Sequence, residues 1–186
     1  MTIFRASLSF VLAACLIAFP FAAFWFSSFA HPYWLFAVAV TLSILRFAMT
    51  GRTATDLLVP QLIFYLVVMA LALLAFKDQA YLLHPFAMSG SFALVFGISL
   101  TKKQSLIEML ARLREPNLPA SGVAYTWNLT RIWFVFLVLN ALVAALTALF
   151  APIEVWAFYN GFLFYCLSGM LLVADILYRR FFVAHA

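Results

Sequence analysis

The chain has 186 residues, 68% of them hydrophobic and 9% charged, against about 45–50% and about 25% in soluble domains. Even a 150-residue soluble domain buries only about 70% of the surface its unfolded chain exposes, so this composition excludes a soluble enzyme, a disordered chain and a disulfide scaffold. The formal charge of +5 would suggest nucleic acid in a soluble protein, but basic residues of membrane proteins collect in cytoplasmic loops, and no nucleic-acid partner is inferred.

A helix needs about 20 apolar residues to cross about 30 Å of hydrocarbon. Six stretches qualify or nearly do: Ser7–Phe29, Tyr33–Met49, Leu57–Phe76, Tyr81–Leu100, Trp127–Phe150 and Ile153–Tyr178. Lipid permits only helices or closed barrels to span, and the runs are continuous where barrel strands would alternate. The sequence therefore predicts an all-α fold: a six-helix transmembrane bundle of three hairpins, forming a single integral membrane domain over residues 1–186.

At the amino terminus Arg5 precedes an apolar run, and Leu12-Ala13-Ala14-Cys15 reads like a lipobox. Hydrophobicity continues well past Cys15, which fits a retained signal-anchor helix better than a cleaved signal. Cys15 and Cys166 lie inside apolar segments and read as small buried hydrophobes. The connectors then sort by charge. One side holds Arg5, Arg46, Arg52, Lys102, Lys103, Arg112, Arg114, Arg131, Arg179 and Arg180, and the other only Lys77 beside Asp78. This asymmetry predicts that both termini are cytoplasmic. The outer turns Ala30-His31-Pro32, Leu83-His84-Pro85 and Ala151-Pro152 resemble one another weakly. His31 and His84 read as interfacial residues at hairpin tips, the alternative being a pH sensor or a metal pair.

Between the fourth and fifth spans, Gln104–Glu115 is amphipathic. Leu106, Ile107, Leu110 and Leu113 form a stripe at helical spacing, with Glu108, Arg112 and Glu115 opposite. Ser105 and Glu108 have capping-box spacing, and Pro116 and Pro119 end the segment. It is expected to lie in the cytoplasmic interface with Lys102 and Lys103 near lipid phosphates, the alternative being a docking helix for a membrane or cytosolic partner. Ser89-Gly90-Ser91 and Gly97 are expected to let a neighbouring backbone approach closely. Trp25, Trp34, Tyr125, Trp127, Trp133, Trp156 and Tyr178 read as interfacial anchors.

No zinc pattern, phosphate loop or nucleophile elbow is present, and no cofactor or metal is inferred. Candidate site residues are the polar groups of the last two spans, Asn128, Arg131, Asn140, Thr147, Asn160, Ser168 and Asp175, since such groups are costly in lipid and usually face the bundle interior. With a shared turn near Pro152, residues of the two spans whose numbers add to about 303 lie level. Asn140 then lies within a turn of Asn160, and Asn128 or Arg131 is level with Asp175. The sequence predicts an ion pair between Arg131 and Asp175 across the helices, joined by Asn128, with Arg179 as the local rival. Whether the cluster is structural glue or a polar path stays open.

The run Leu100-Thr101-Lys102-Lys103-Gln104-Ser105-Leu106-Ile107-Glu108-Met109-Leu110, the Leu118-Pro119 break, and a final hairpin with Trp133, Ala151-Pro152, Trp156 and Leu167-Ser168-Gly169 resemble the bacterial intracellular septation protein A family. Leu139-Asn140-Ala141-Leu142, Ala145–Phe150 and Val155–Gly161 are more similar to an uncharacterised membrane-protein family of aryl-polyene and related pigment clusters. The likeness covers about the last 90 residues. It implies a small polytopic bacterial inner-membrane protein serving envelope maintenance or polyene-lipid biogenesis, and it carries over no catalytic residue. The expected function is a non-catalytic scaffold or accessory, with a small carrier of an apolar acyl or polyene product as the alternative. A membrane acyltransferase fits less well because a buried His–Asp pair is missing.

Overall fold

The computed structural model describes Phe19 and residues 22–26, 32–49 and 55–180. Most of the first expected span, together with Arg5, Cys15, His31 and Arg52, lies outside these residues. Regular structure among the described residues is helical, without strands. Helix α1 spans Pro32–Met49, α2 Thr55–Phe76, α3 His84–Leu100, α4 Leu106–Arg112, α5 Ala120–Phe150, α6 Ile153–Phe158 and α7 Phe164–Tyr178. A 3-10 segment, Lys77–Leu83, links α2 to α3, and a π-helical turn, Tyr159–Leu163, joins α6 to α7.

Three helical runs are long and apolar enough to cross a membrane: Val59–Leu100, Ala120–Phe150 and Ile153–Tyr178. As one straight helix the 42 residues of the first would reach about 63 Å, twice the hydrocarbon thickness, and the run folds back instead. The bend is at Lys77, whose φ of 43° is in the left-handed region that L side chains avoid. Beyond it, Tyr65 Oη of α2 lies 2.9 Å from Nδ1 of His84, the first residue of α3. The Phe64 ring fills the notch at Gly90, where an added Cβ would come within 2.9 Å of it.

Helix α3 packs antiparallel along α5. Gly97 meets the ring of Phe134, Phe96 lies 6.4 Å from Trp133, and Asn140 Nδ2 donates to Ser89 Oγ at 2.7 Å. In each pair the residue numbers add to about 230, as constant register requires. The contact is close because residues along it are small: Ser89 and Ala93 on α3, Ala141 and Ala144 on α5, all buried. In lipid, where no hydrophobic force drives helices together, such packing holds them. The glycines of α3 thus admit aromatic rings from their neighbours. The sequence reading expected a backbone there.

The far end of the bundle, around Pro152, is sealed by an apolar cluster that includes Phe19, Ala23, Leu35, Ala39, Tyr81, Leu83 and Trp156. This overturns two expectations. Trp156 is fully buried and donates its indole N–H to the Leu82 carbonyl at 2.9 Å, so it is a core residue and no interfacial anchor. His84 is 3% exposed, because the 3-10 segment after Lys77 turns inward and carries it under Phe19, whose ring lies 4.5 Å away. The hairpin tip is Lys77–Asp78, seven residues ahead of His84-Pro85, and Pro85 only starts α3.

At the opposite end, α4 begins where the sequence placed it, with Ser105 Oγ accepting from the Glu108 amide. It ends at Arg112, three residues early, because Arg112 Nη1 turns to the Pro116 carbonyl at 2.9 Å. Its outer leucines and Glu108 lie on opposite sides, as the spacing required, and the side turned to the bundle is that of Glu108. Glu108 is buried against Arg112, whereas Leu110 and Leu113 are 57% and 81% exposed. Two hydroxyls fix this facing: Ser99 Oγ accepts from the Leu106 amide at 3.1 Å, and Thr130 Oγ1 from the Ile107 amide at 3.4 Å. They satisfy amides that a helix start leaves without intrahelical partners.

Candidate functional site: a lateral groove between α5 and α7

Helix α5 and the α6–α7 run antiparallel in the expected register. Tyr159 Oη donates to Asn140 Oδ1 at 3.0 Å, Asn160 Nδ2 donates to Thr147 Oγ1 at 3.2 Å, and the Tyr125 hydroxyl donates to Asp175. The residue numbers of these pairs add to between 299 and 307. Asn140 and Asn160 lie within a turn of each other but do not bond. Asn140 bridges Ser89 of α3 to Tyr159, while Asn160 joins Thr147 and the Trp156 carbonyl, leaving its buried Oδ1 without a partner. These two amides tie three helices together in the half of the bundle nearer Pro152. Ser168 Oγ is also buried without a partner.

The predicted Arg131–Asp175 pair does not form. Asp175 is buried, its side chain 4% exposed, yet its cation is the half-exposed Arg179 one turn on along the same helix. Arg179 Nε donates to both carboxylate oxygens at 3.1 Å, and Nη2 donates as well. The cross-helix partner is the Tyr125 hydroxyl. Tyr125 stacks on Tyr178 at 5.5 Å with 2° between the planes, and the Arg179 guanidinium lies 5.8 Å from its ring centroid. Hydrogen bonding to Asp175 holds the Arg179 guanidinium above its usual range against the opposing effect of burial. Asn128 is exposed and turns back to the Ala124 carbonyl at 3.0 Å. Arg131 is exposed too, its guanidinium 5.4 Å from the Trp127 ring centroid. Depth along the helix was predicted correctly; direction around it was not. Tyr125 and Asn128 look toward α7, whereas Arg131 follows Trp127 by one turn onto the rim.

Away from the bonds at its two ends, α7 stays too far from α5 for close backbone packing. Tyr125, Asn128, Leu129 and Ile132 face Leu171, Ala174, Asp175 and Tyr178 across a cavity of about 370 Å³. A second cavity of about 700 Å³ continues from Arg131 past Val135 and Phe136 to Leu139, against Leu167, Met170 and Ala174. Ile132, Leu171 and Ala174 line both, so the two form one lateral groove. The stacked rings of Phe136 and Phe164, 6.0 Å apart, hold the helices apart at its deep end. The Tyr125–Asp175–Arg179 cluster closes the other. From Tyr125 to Leu139 the groove runs about 21 Å along α5. Neither the splay of α7 nor the part of Tyr125 is written in any motif. The signal available was Tyr125 itself, which with Asp175 adds to 300 and so lies level with it.

His84 and Asp175 lie at opposite ends of the bundle, about 30 Å apart along α5 by the two registers, so they do not share a site. Among the described residues no three His, Cys, Asp or Glu side chains come together as metal ligands would. No known protein family, characterised protein or solved structure matches the chain. The likeness to the septation and polyene-cluster families rests on the residues quoted for it.

Proposed function

We propose that this chain is a multi-pass protein of the bacterial inner membrane that holds an apolar acyl or polyene chain laterally between α5 and α7. It serves cell-envelope or polyene-lipid biogenesis as a non-catalytic accessory. The observation that carries this reading is the groove, open along its side, apolar through its depth, and polar at one end. Pockets for apolar ligands have this form, a greasy lining with a few polar groups that orient the guest. In this reading the chain crosses six times, with residues 7–29 as the first span, α1, α2, α3 and α5 as the next four, and α6–α7 as the sixth. Both termini lie in the cytoplasm, and the basic end of the bundle faces it. The scaffold reading has its own support in α4, whose exposed Leu110 and Leu113 form an apolar surface at 104–115 suited to a biosynthetic partner or to the headgroup layer.

Extraction of the purified protein with organic solvent, followed by mass spectrometry, tests the binding reading. Wild type should release acyl or polyene species at about one per chain, and Ala174→Phe, which fills the groove, should release few. Equal recovery from both proteins would refute chain binding in the groove and leave the scaffold.

A further inference from the structure

We infer that the occupant of the groove is an anionic phospholipid of the leaflet at the basic end, with its phosphate on Arg131 and one acyl chain running down toward Leu139. The inference rests on the reading of the groove as a chain-binding site and adds the headgroup class and the residue that selects it.

Depth places Arg131 where a phosphate belongs. Helix α5 has 31 residues, about 46 Å, well over the hydrocarbon thickness. Counting about 20 residues back from Phe150 sets the hydrocarbon boundary at Arg131. The register with α3 sets it independently, since Leu100, the last residue of that helix, lies level with Thr130. From Arg131 to Leu139 the groove descends about 12 Å, close to the roughly 15 Å of one leaflet.

Charge then singles out Arg131. Arg112 is neutralised by Glu108 and Arg179 by Asp175. Arg131 has no carboxylate within 4.0 Å among the described residues, is exposed, and lines the groove. Arg114 and Arg180 are also without a carboxylate but lie off it. The Trp127 ring flanks the guanidinium, and its planar fork of N–H groups suits the bidentate binding that phosphate favours. Among the described residues Asp175 is the one carboxylate facing the groove, and its charge is matched by Arg179, so it does not repel an anionic head.

Native mass spectrometry of the detergent-solubilised protein, with phosphatidylglycerol or phosphatidylcholine of identical chains added, tests this. Wild type should retain phosphatidylglycerol about tenfold better, because the phosphate of phosphatidylcholine is already offset by its own ammonium and is the weaker partner for Arg131. Arg131→Gln should abolish the preference, Arg131→Lys should keep part of it, and Arg180→Gln should leave it intact. Ala174→Phe should lose both lipids. Equal retention of the two lipids by wild type, or a preference that survives Arg131→Gln, overturns the assignment of the headgroup. If Ala174→Phe retains both lipids as wild type does, the groove reading itself fails. A dimer that Ala174→Phe dissolves would make the occupant a second copy of this chain and overturn the lipid assignment too.

Discussion

Asp175 offers a sharp test of how the polar end of the groove is held. Its carboxylate is almost fully buried and serves two partners: the half-exposed Arg179 on its own helix and the Tyr125 hydroxyl across the groove. The ion pair is same-helix and Arg179 keeps access to water or phosphate, so the pair contributes about 0.3–0.5 kcal/mol. A hydroxyl donating to a carboxylate is worth about 1.5–3 kcal/mol in soluble proteins, but measured interhelical couplings in membranes average about 0.6 and reach about 1.7. We expect about 1–1.5 kcal/mol for Tyr125. Asp175→Ala should then cost about 1.3–2 kcal/mol. In double-mutant cycles the Tyr125→Phe/Asp175→Ala coupling should exceed the Arg179→Gln/Asp175→Ala coupling by at least about twofold. Unfolding in mixed micelles by increasing SDS, read by helical circular dichroism, measures each variant. A larger coupling to Arg179 than to Tyr125 would show that Asp175 stabilises its own helix and does not fasten the groove.

Other perturbations probe the rest of the bundle. Trp156→Ala should cost about 3–5 kcal/mol, and Trp156→Phe about 1–3, because the Leu82 carbonyl loses its donor; the same SDS titration reads both, and a near-neutral Trp156→Ala would refute its place in the core. Asn140→Leu should lose about 1–2 kcal/mol, since it frees both Ser89 and Tyr159, with thermal aggregation in detergent as the check. Gly97→Ala should destabilise by about 1 kcal/mol or more because its Cβ would meet the Phe134 ring, and Phe134→Leu in the same chain should recover part of that loss. Cytoplasmic reporters fused after Gly51, Pro119 or Ala186 should be active and those after Pro32 or Lys77 silent; activity at Lys77 would end the six-span topology.

Much of the architecture was legible because lipid leaves the sequence few options. Continuous apolar runs can only be helices, and a turn as tight as Ala151-Pro152 fixes antiparallel neighbours, so the rule that level residues add to about 303 put Asn140 within a turn of Asn160, and the observed Tyr159–Asn140 and Asn160–Thr147 bonds keep that register. The Ser105 cap was equally legible, since a hydroxyl three residues ahead of an amide is a local matter.

What stayed hidden is rotation about each helix axis. Sequence spacing gives height to about a turn, but the face a residue presents depends on neighbours far along the chain. Arg131 and Asp175 are close enough in height to pair, yet a difference of three residues from Asn128 turns Arg131 by about 60° on a helix of 3.6 residues per turn, from the groove wall to its rim. Helix α4 shows the same limit. Its apolar stripe was read from spacing alone, and the side facing the bundle was decided by Ser99 and Thr130, which accept its first amides and so turn Glu108 inward and Leu110 outward. His84 repeats the point at the other end, where one left-handed residue at Lys77 moves the hairpin tip back and carries an apparent loop histidine into the core. Hydropathy patterns count apolar residues without regard to such bonds. In lipid, where the apolar face has no water to avoid, orientation falls to the few polar contacts, and those are the features a linear reading resolves least.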